Sequence, residues 1–493
     1  MRRTTLCCLT LALFAAAPLH AQPDSLWSRT YGGRGRDMCR SLIQTADGGY
    51  ALAGFTDSFG AGREDFWLVK TDENGDSLWS HTYGGEWDDA CNSLVQTADG
   101  GFALAGLTYS FGAGESDFWL VRTNESGDSL WSRTYGSWGS EWCSSCVRTA
   151  DGGFALAGVT TSLRRGEPDF WLVKTNNNGE TLWSQVYGGS GYDMCYSIVQ
   201  TVDGGFALAG GTQSFGNQNG YYDLWLVKTS ENGDSLWSRT YGGETWDLCF
   251  ALIQTANGGF ALAGETTSFG AGQCDIWLLR TDENGNTLWS RTVGGEYDDE
   301  SFSLIQTADR GFALAGFTQI SNVDKFDFYL ARTDENGDSL WSRTFGGDSS
   351  DVCESLIQTA DGGFALAGYT KSFGAGNSDF WLVKLGPENS VPDDEATAPL
   401  HFGLDAVYPN PFNSTAAVSY QLSAFSKVSL KLYDLNGRLV QTLMEGWQEA
   451  GEHRVVIDAN GGQPGMAVLP SGVYLLRLTD GRQVALGKVC LVK

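Results

Sequence analysis

Seven acidic residues recur at one position along the chain: Asp37, Asp89, Glu141, Asp193, Asp247, Asp299 and Asp351. Carboxylates supply hard oxygen donors, so a ring of them at a channel mouth would suit Ca²⁺ or a basic ligand. Acidic residues in turns also cap backbone N–H groups, and a feature present in every copy is expected to be architecture first. Near them stand aromatics whose positions shift from copy to copy: Trp87, Trp138, Trp142, Tyr192, Trp246 and Tyr297. A ring beside a carboxylate suits a sugar, with the ring stacking on its apolar face and the carboxylate taking hydroxyls. Packing between neighbouring sheets is the competing role.

Other chemistry is sparse. Only four histidines are present, His20, His81, His401 and His453, so triads and metal sites built on imidazole are not expected. Cys39, Cys91, Cys143, Cys195, Cys249 and Cys353 share one repeat position, with Ser301 in the sixth copy. Positions related by rotation reach disulfide distance, about 4.4–6.8 Å between Cα atoms, only close to an axis. These thiols are read as small buried apolar groups. Cys143-Ser-Ser-Cys146 has the spacing of a redox pair, but the repeat accounts for both positions, Cys146 standing where Leu42 does. No catalytic residue and no resident cofactor or metal is expected, with Ca²⁺ the one candidate ion.

The elements that must hold these residues repeat with them. Trp27, Trp79, Trp131, Trp183, Trp237, Trp289 and Trp341 each sit in a Leu-Trp-Ser context, 52 or 54 residues apart. A second aromatic series follows an Asp two residues earlier, as in Asp65-Phe66-Trp67-Leu68-Val69-Lys70. Between them lie a Ser-Leu-Ile-Gln-Thr run (41–45 in the first copy) and an Ala-Leu-Ala-Gly run ending at Gly54. Each run is short and bounded by turn residues, so each repeat predicts four antiparallel strands. Runs apolar at consecutive positions need cover on both faces, which stacked sheets around an axis provide. The array opens on a Leu-Trp-Ser strand and closes without one, so three last strands plus the first complete the final sheet. The expected fold is all-β: a seven-bladed β-propeller over residues 22–385, with 3+1 strand closure that removes the open edge.

Composition agrees. Among 493 residues, Lys and Arg total 32 and Asp and Glu 59, so the net charge is 32 − 59 = −27. Nucleic acid and anionic membranes reward clustered cations and are excluded as main partners. Residues 1–21 read as a secretory signal peptide: Arg2 and Arg3, an apolar run from Leu6 to Ala17, and a cleavage site at Leu19-His20-Ala21. No later stretch is long enough for a transmembrane helix.

The repeat unit resembles the Kelch class of propeller repeats in its strand–Gly turn–strand pattern leading to Trp79, with one Gly at Ala53-Gly54 where Kelch repeats carry two. That resemblance implies that Ser41–Thr45 is innermost and Trp27–Tyr31 outermost. After a Pro- and acid-rich linker, 386–400, residues 401–493 lack the repeat and read as a small β-sandwich. Tyr408-Pro409-Asn410-Pro411-Phe412-Asn413, Leu432-Tyr433-Asp434-Leu435-Asn436-Gly437-Arg438 and Leu469-Pro470-Ser471-Gly472-Val473-Tyr474 resemble the C-terminal sorting domain of type IX (Por) secretion substrates. Ile457 stands where that family often has Trp. The resemblance implies export by a diderm bacterium, partnership with the type IX machinery, and a secreted or surface location. The expected function is a non-catalytic binding or scaffold protein that takes a glycan or protein on one propeller face. Its rivals are a carboxylate-dependent glycosidase or lyase and a purely structural surface component.

Overall fold

The computed structural model describes residues 23, 25–162, 167–217, 220–319, 325–388, 403–408, 410, 412–422, 426–435, 437–448, 451–459, 468–479 and 484–492. The expected signal peptide and most of the linker lie outside them. Two compact units result, one made of the repeats and one of the tail.

The repeat unit is built from four-stranded antiparallel sheets, consistent with a β-propeller. Its first strands are β1 (Ser25–Tyr31), β2 (Asp37–Gln44), β3 (Tyr50–Thr56), β4 (Asp65–Thr71) and β5 (Ser77–Tyr83). β2 to β5 form one sheet in sequence order, and the pattern recurs down the chain. β1 pairs instead with Asp379–Leu385, setting Trp27 opposite Lys384 and Tyr31 opposite Phe380. The first strand therefore completes the last sheet, as the 3+1 reading requires.

The turns follow local chemistry. In Thr45-Ala-Asp-Gly-Gly49, Gly48 takes φ 87° and donates its N–H to the Thr45 carbonyl at 2.9 Å. β3 and β4 are buried along their whole length, because adjacent sheets cover both of their faces. Ala51 and Ala53 are fully buried among Phe66, Leu68, Leu94 and Trp119, small enough to let the sheets approach. Between sheets, Phe66 meets Trp119 with ring centroids 4.6 Å apart, and Phe380 meets Trp67 at the same distance across the seam. Such pairs contribute about 1 kcal/mol each beyond area burial.

β2 and its counterparts pack against one another and form the inner ring. Serine hydroxyls tie them together: the Leu94 N–H donates to Ser41 Oγ, and the Leu42 N–H donates to Ser355 Oγ, both at 3.1 Å. The strand is longer than the Ser41–Thr45 run, and its pairing with β3 skips Arg40, between Cys39↔Gly54 and Ser41↔Ala53. Arg40 is thus the extra residue of a β-bulge, a device that re-aims one side chain. The same slip occurs in every inner strand, as at Tyr196 and Phe250.

In the tail unit, Gly403–Tyr408, Thr415–Leu422 and Gly451–Asp458 make one sheet, and Leu439–Gln448, Ser426–Tyr433, Gly472–Thr479 and Val484–Leu491 another. One apolar core including Val418, Tyr420, Leu430, Ile457, Leu476 and Val489 joins them. Asn410 fixes the last strand: its Nδ2 donates to the Lys488 carbonyl at 3.1 Å, and its Oδ1 accepts from the Cys490 N–H at 2.9 Å.

Candidate functional site

Two sets of loops meet on one face of the repeat unit. The loop between β1 and β2 touches the loop before Asp379, where the Asn377 N–H donates to the Gly35 carbonyl at 2.9 Å. The next boundary repeats this, with the Asp89 N–H donating to the Glu64 carbonyl at 2.6 Å.

The seven acidic residues at the start of the inner strands are all buried. Asp37 accepts from the Gly33 N–H at 2.7 Å, from Ser58 Oγ at 2.8 Å, and from Thr56 Oγ1. Asp193, Asp247 and Asp351 make the same three bonds to Gly189, Gly243 and Gly347 and to the following Thr and Ser. Glu141 reaches the Ser137 N–H at 3.0 Å and Thr160 Oγ1 at 3.0 Å. Asp89 takes the Gly85 N–H, and Asp299 the Gly295 N–H. Each carboxylate is committed to the backbone of the loop before its strand, and most of them also to hydroxyls at the end of the neighbouring strand.

A second acidic series, opening β4 and its counterparts, lies alongside. Asp65 Oδ2 accepts from the Ala61 and Gly62 N–H groups, while its Oδ1 abuts Gly84. A Cβ at Gly84 would collide with that oxygen, so only glycine fits the first Gly of Tyr-Gly-Gly. Burial pushes the Asp65 and Asp379 carboxyls up, with the neighbouring first-series carboxylates Asp89 and Asp37 adding to it. Asp117, beside Glu141, rises to about 6.

Of the six aromatics, Trp87, Trp138, Tyr192 and Trp246 are exposed, Trp138 most at 67 %. Trp142 and Tyr297 are half-buried. Arg63 covers the Trp87 ring at 5.8 Å, and Trp246 lies against Tyr222 and Tyr221 with centroids 5.2 and 6.0 Å apart. Beside Trp87 a cavity of about 640 Å³ is lined by Arg34, Arg36, Asp57, Arg63, Glu64 and Asp88. The loop before β4 reads Ser-Phe-Gly-Ala-Gly in most copies, and the sequence departs from this at Leu163–Arg165, at the longer Asn217–Tyr222 and at Ile320–Lys325; Leu163–Arg165, Gln218, Asn219 and most of Ile320–Lys325 lie outside the described residues.

Sequence reasoning missed one cluster. Glu265, Cys274 and Glu300 place their ligand atoms within 4.8 Å of one another. Burial, then Glu265, pushes Glu300 up to about 8, and burial raises the Cys274 thiol as well. In the first copy the corresponding residues are Phe55, Glu64 and Met38. The signal was present as three departures from the repeat, but strand pairing was needed to bring them together. The other described cysteines share no disulfide, and burial pushes the thiols of the repeat series up.

On the opposite face, a buried cation at the end of β4 meets the Thr45–Gly49 turn. Lys70 Nζ lies 2.9 Å from Asp47. Burial opposes ionisation of Asp47, but bonds from Thr45, Lys70 and the Gly49 N–H hold it down at about 2. In the fifth copy Asn257 replaces the aspartate, and Arg280 bonds to its Oδ1.

No curated protein sequence matches the chain. Among solved structures it is similar to a protein of unknown function from Bacteroides caccae, 15 % identical, covering 60 % of this chain and 93 % of that one with TM-score 0.38. It is also similar to Sqt1 from Chaetomium thermophilum (13 %, 70 % and 82 %, TM-score 0.42) and to the Neurospora crassa Pan2 WD40 domain (11 %, 74 % and 97 %, TM-score 0.45). Similarities this distant carry nothing about function. No helix among the described residues is long and apolar enough to cross a membrane. Residues 406–492 match the secretion system C-terminal sorting domain, so the chain carries a type IX sorting tail, which indicates secretion or surface export through contact with that machinery.

Proposed function

We propose that the repeat unit is a seven-bladed, Kelch-like propeller, delivered outside the cell by a sandwich-type sorting domain, and that it is a non-catalytic binding module. The loop face bearing Trp87, Trp138, Tyr192 and Trp246 is the docking surface for an extracellular glycan or protein. The observation that carries this is the exposure of four large rings on loops held by a rigid scaffold, the usual place for recognition residues. Titrating the full chain against a polysaccharide panel, with and without Ca²⁺, tests it. Saturable binding that falls at least tenfold in Trp87→Ala and Trp246→Ala supports the reading, and binding indifferent to both changes removes it.

One observation favours a second reading, a carboxylate-dependent polysaccharide-active enzyme. Glu300, held protonated beside Glu265, has the environment of a general acid paired with a second carboxyl. Release of reducing sugar from any panel member, abolished in Glu300→Gln, would establish it.

A further inference from the structure

One residue from each inner strand, always the bulge residue, lines a single cavity of about 340 Å³. The surrounding sequence is nearly invariant between copies, yet at this position the chemistry differs sharply. Tyr196, Phe250 and Phe302 come from consecutive sheets and form one continuous aromatic arc. Their ring centroids stand 5.1 Å apart for the first pair and 5.2 Å for the second. The remaining arc is polar. Arg40 forms an ion pair with Glu354 from the adjoining sheet across the seam, and Asn92 and Ser144 complete the circuit.

We infer that this axial cavity is a binding site for one neutral pyranose ring, free or at the end of a saccharide chain. Stacking on the aromatic arc suits the C–H face of a sugar, and the opposite arc offers donors and acceptors to its hydroxyl edge. The ion pair selects for neutrality. An anion would have to draw Arg40 away from the half-buried Glu354, and a cation would strip Glu354 from the half-buried Arg40; each leaves a partly desolvated charge uncompensated. The net charge of −27 also repels acidic polysaccharides. The volume lies at the small end of ligand pockets, which run from about 300 to 1,000 Å³, and so admits one ring.

The site is separate from the exposed loop aromatics, and the repeat supplies variants that the scaffold already tolerates. Phe250→Ser installs the residue found at Ser144, and Tyr196→Asn the residue found at Asn92. The full chain is titrated by calorimetry with the methyl pyranosides of glucose, galactose, mannose and N-acetylglucosamine, and with methyl glucuronide as the charged arm. The expected result is saturable binding of at least one neutral pyranoside, weakened tenfold or more by each axial variant and unchanged in Glu73→Ala, an exposed turn variant outside both sites, with Trp87→Ala and Trp246→Ala measured alongside to report on the loop face. Binding lost in the tryptophan variants but kept in both axial variants overturns the axial site while sustaining the loop face. Tighter binding of the glucuronide than of the glucoside overturns the neutral-ligand assignment, and no binding of any pyranoside overturns the site. Thermal melts of each variant separate lost binding from lost fold, and the second axial variant carries the test if one fails to fold.

Discussion

The phenol of Tyr135 donates a 2.7 Å hydrogen bond to the carbonyl of Gly179, 44 residues further along and in the next sheet. Tyr31, Tyr83, Tyr187 and Tyr241 make the same strap to Gly75, Gly127, Gly233 and Gly285. The glycine must also pass beneath the preceding sheet's tryptophan, since a Cβ on Gly75, at φ +76°, would enter the Trp27 ring. Two copies depart, with Val293 and Phe345 in place of the tyrosine.

Removing one strap, Tyr135→Phe, is expected to cost about 1 kcal/mol, the net contribution of a typical hydrogen bond. Val293→Tyr should build the missing strap to Gly337 and raise the thermal midpoint. Differential scanning calorimetry of both variants checks the pair, and a neutral Tyr135→Phe would contradict the assignment.

Stability should peak in mild acid. Asp117 rises from 3.8 to about 6, so between those values the folded chain keeps a proton that the unfolded chain releases. Its stabilisation is present below the lower value and is lost as pH rises through the upper one. Asp47, Asp151 and Asp361 are held near 2, so their stabilisation is present above about 4 and is lost as pH falls towards 2. Thermal midpoints should therefore be highest at about pH 4–5 and fall towards pH 7.5. Asp117→Asn should flatten part of the fall on the alkaline side.

Arg280 is buried, and desolvation lowers its pKa; its side-chain partner Asn257 offers a dipole but no charge. Asn257→Asp restores the pairing that Lys70, Arg122, Lys174, Lys228, Arg332 and Lys384 enjoy. A gain on the order of 1 kcal/mol is expected, measurable as a shift in urea midpoint at unchanged m-value.

The seam has its own closure. Where other sheets have a β-turn, the last sheet has two separate chain segments, and Glu388 occupies the gap. It accepts from Trp341 Nε1 at 2.9 Å and lies 3.1 Å from Arg332 Nε. Glu388→Ala should destabilise the repeat unit by about 1–3 kcal/mol, more than removal of a surface carboxylate such as Glu73. Chemical denaturation of the two variants side by side decides it.

The four strands of each repeat were legible because turn residues and apolar runs mark them locally, and the seam was legible from which strand type opens and closes the array. The bulge at Arg40 was not, since a register slip exists only relative to β3. For that reason the inner strand reads as Ser41–Thr45 in sequence but spans Asp37–Gln44. The loop aromatics stood out by type, whereas Glu265, Cys274 and Glu300 became a group only when two sheets met. Glu388, which sequence alone assigned to the linker, bonds to the repeat unit through residues about 50 positions upstream.

Pairing of β1 with Asp379–Leu385 makes the first strand wait for the last. Ribosomal synthesis delivers Ser25 some 360 residues before its partner, so the last sheet cannot be completed until Leu385 has been made. The sorting tail lies beyond that partner strand. A chain cut short anywhere within the repeats therefore lacks its sorting tail as well as the strands that complete its final sheet.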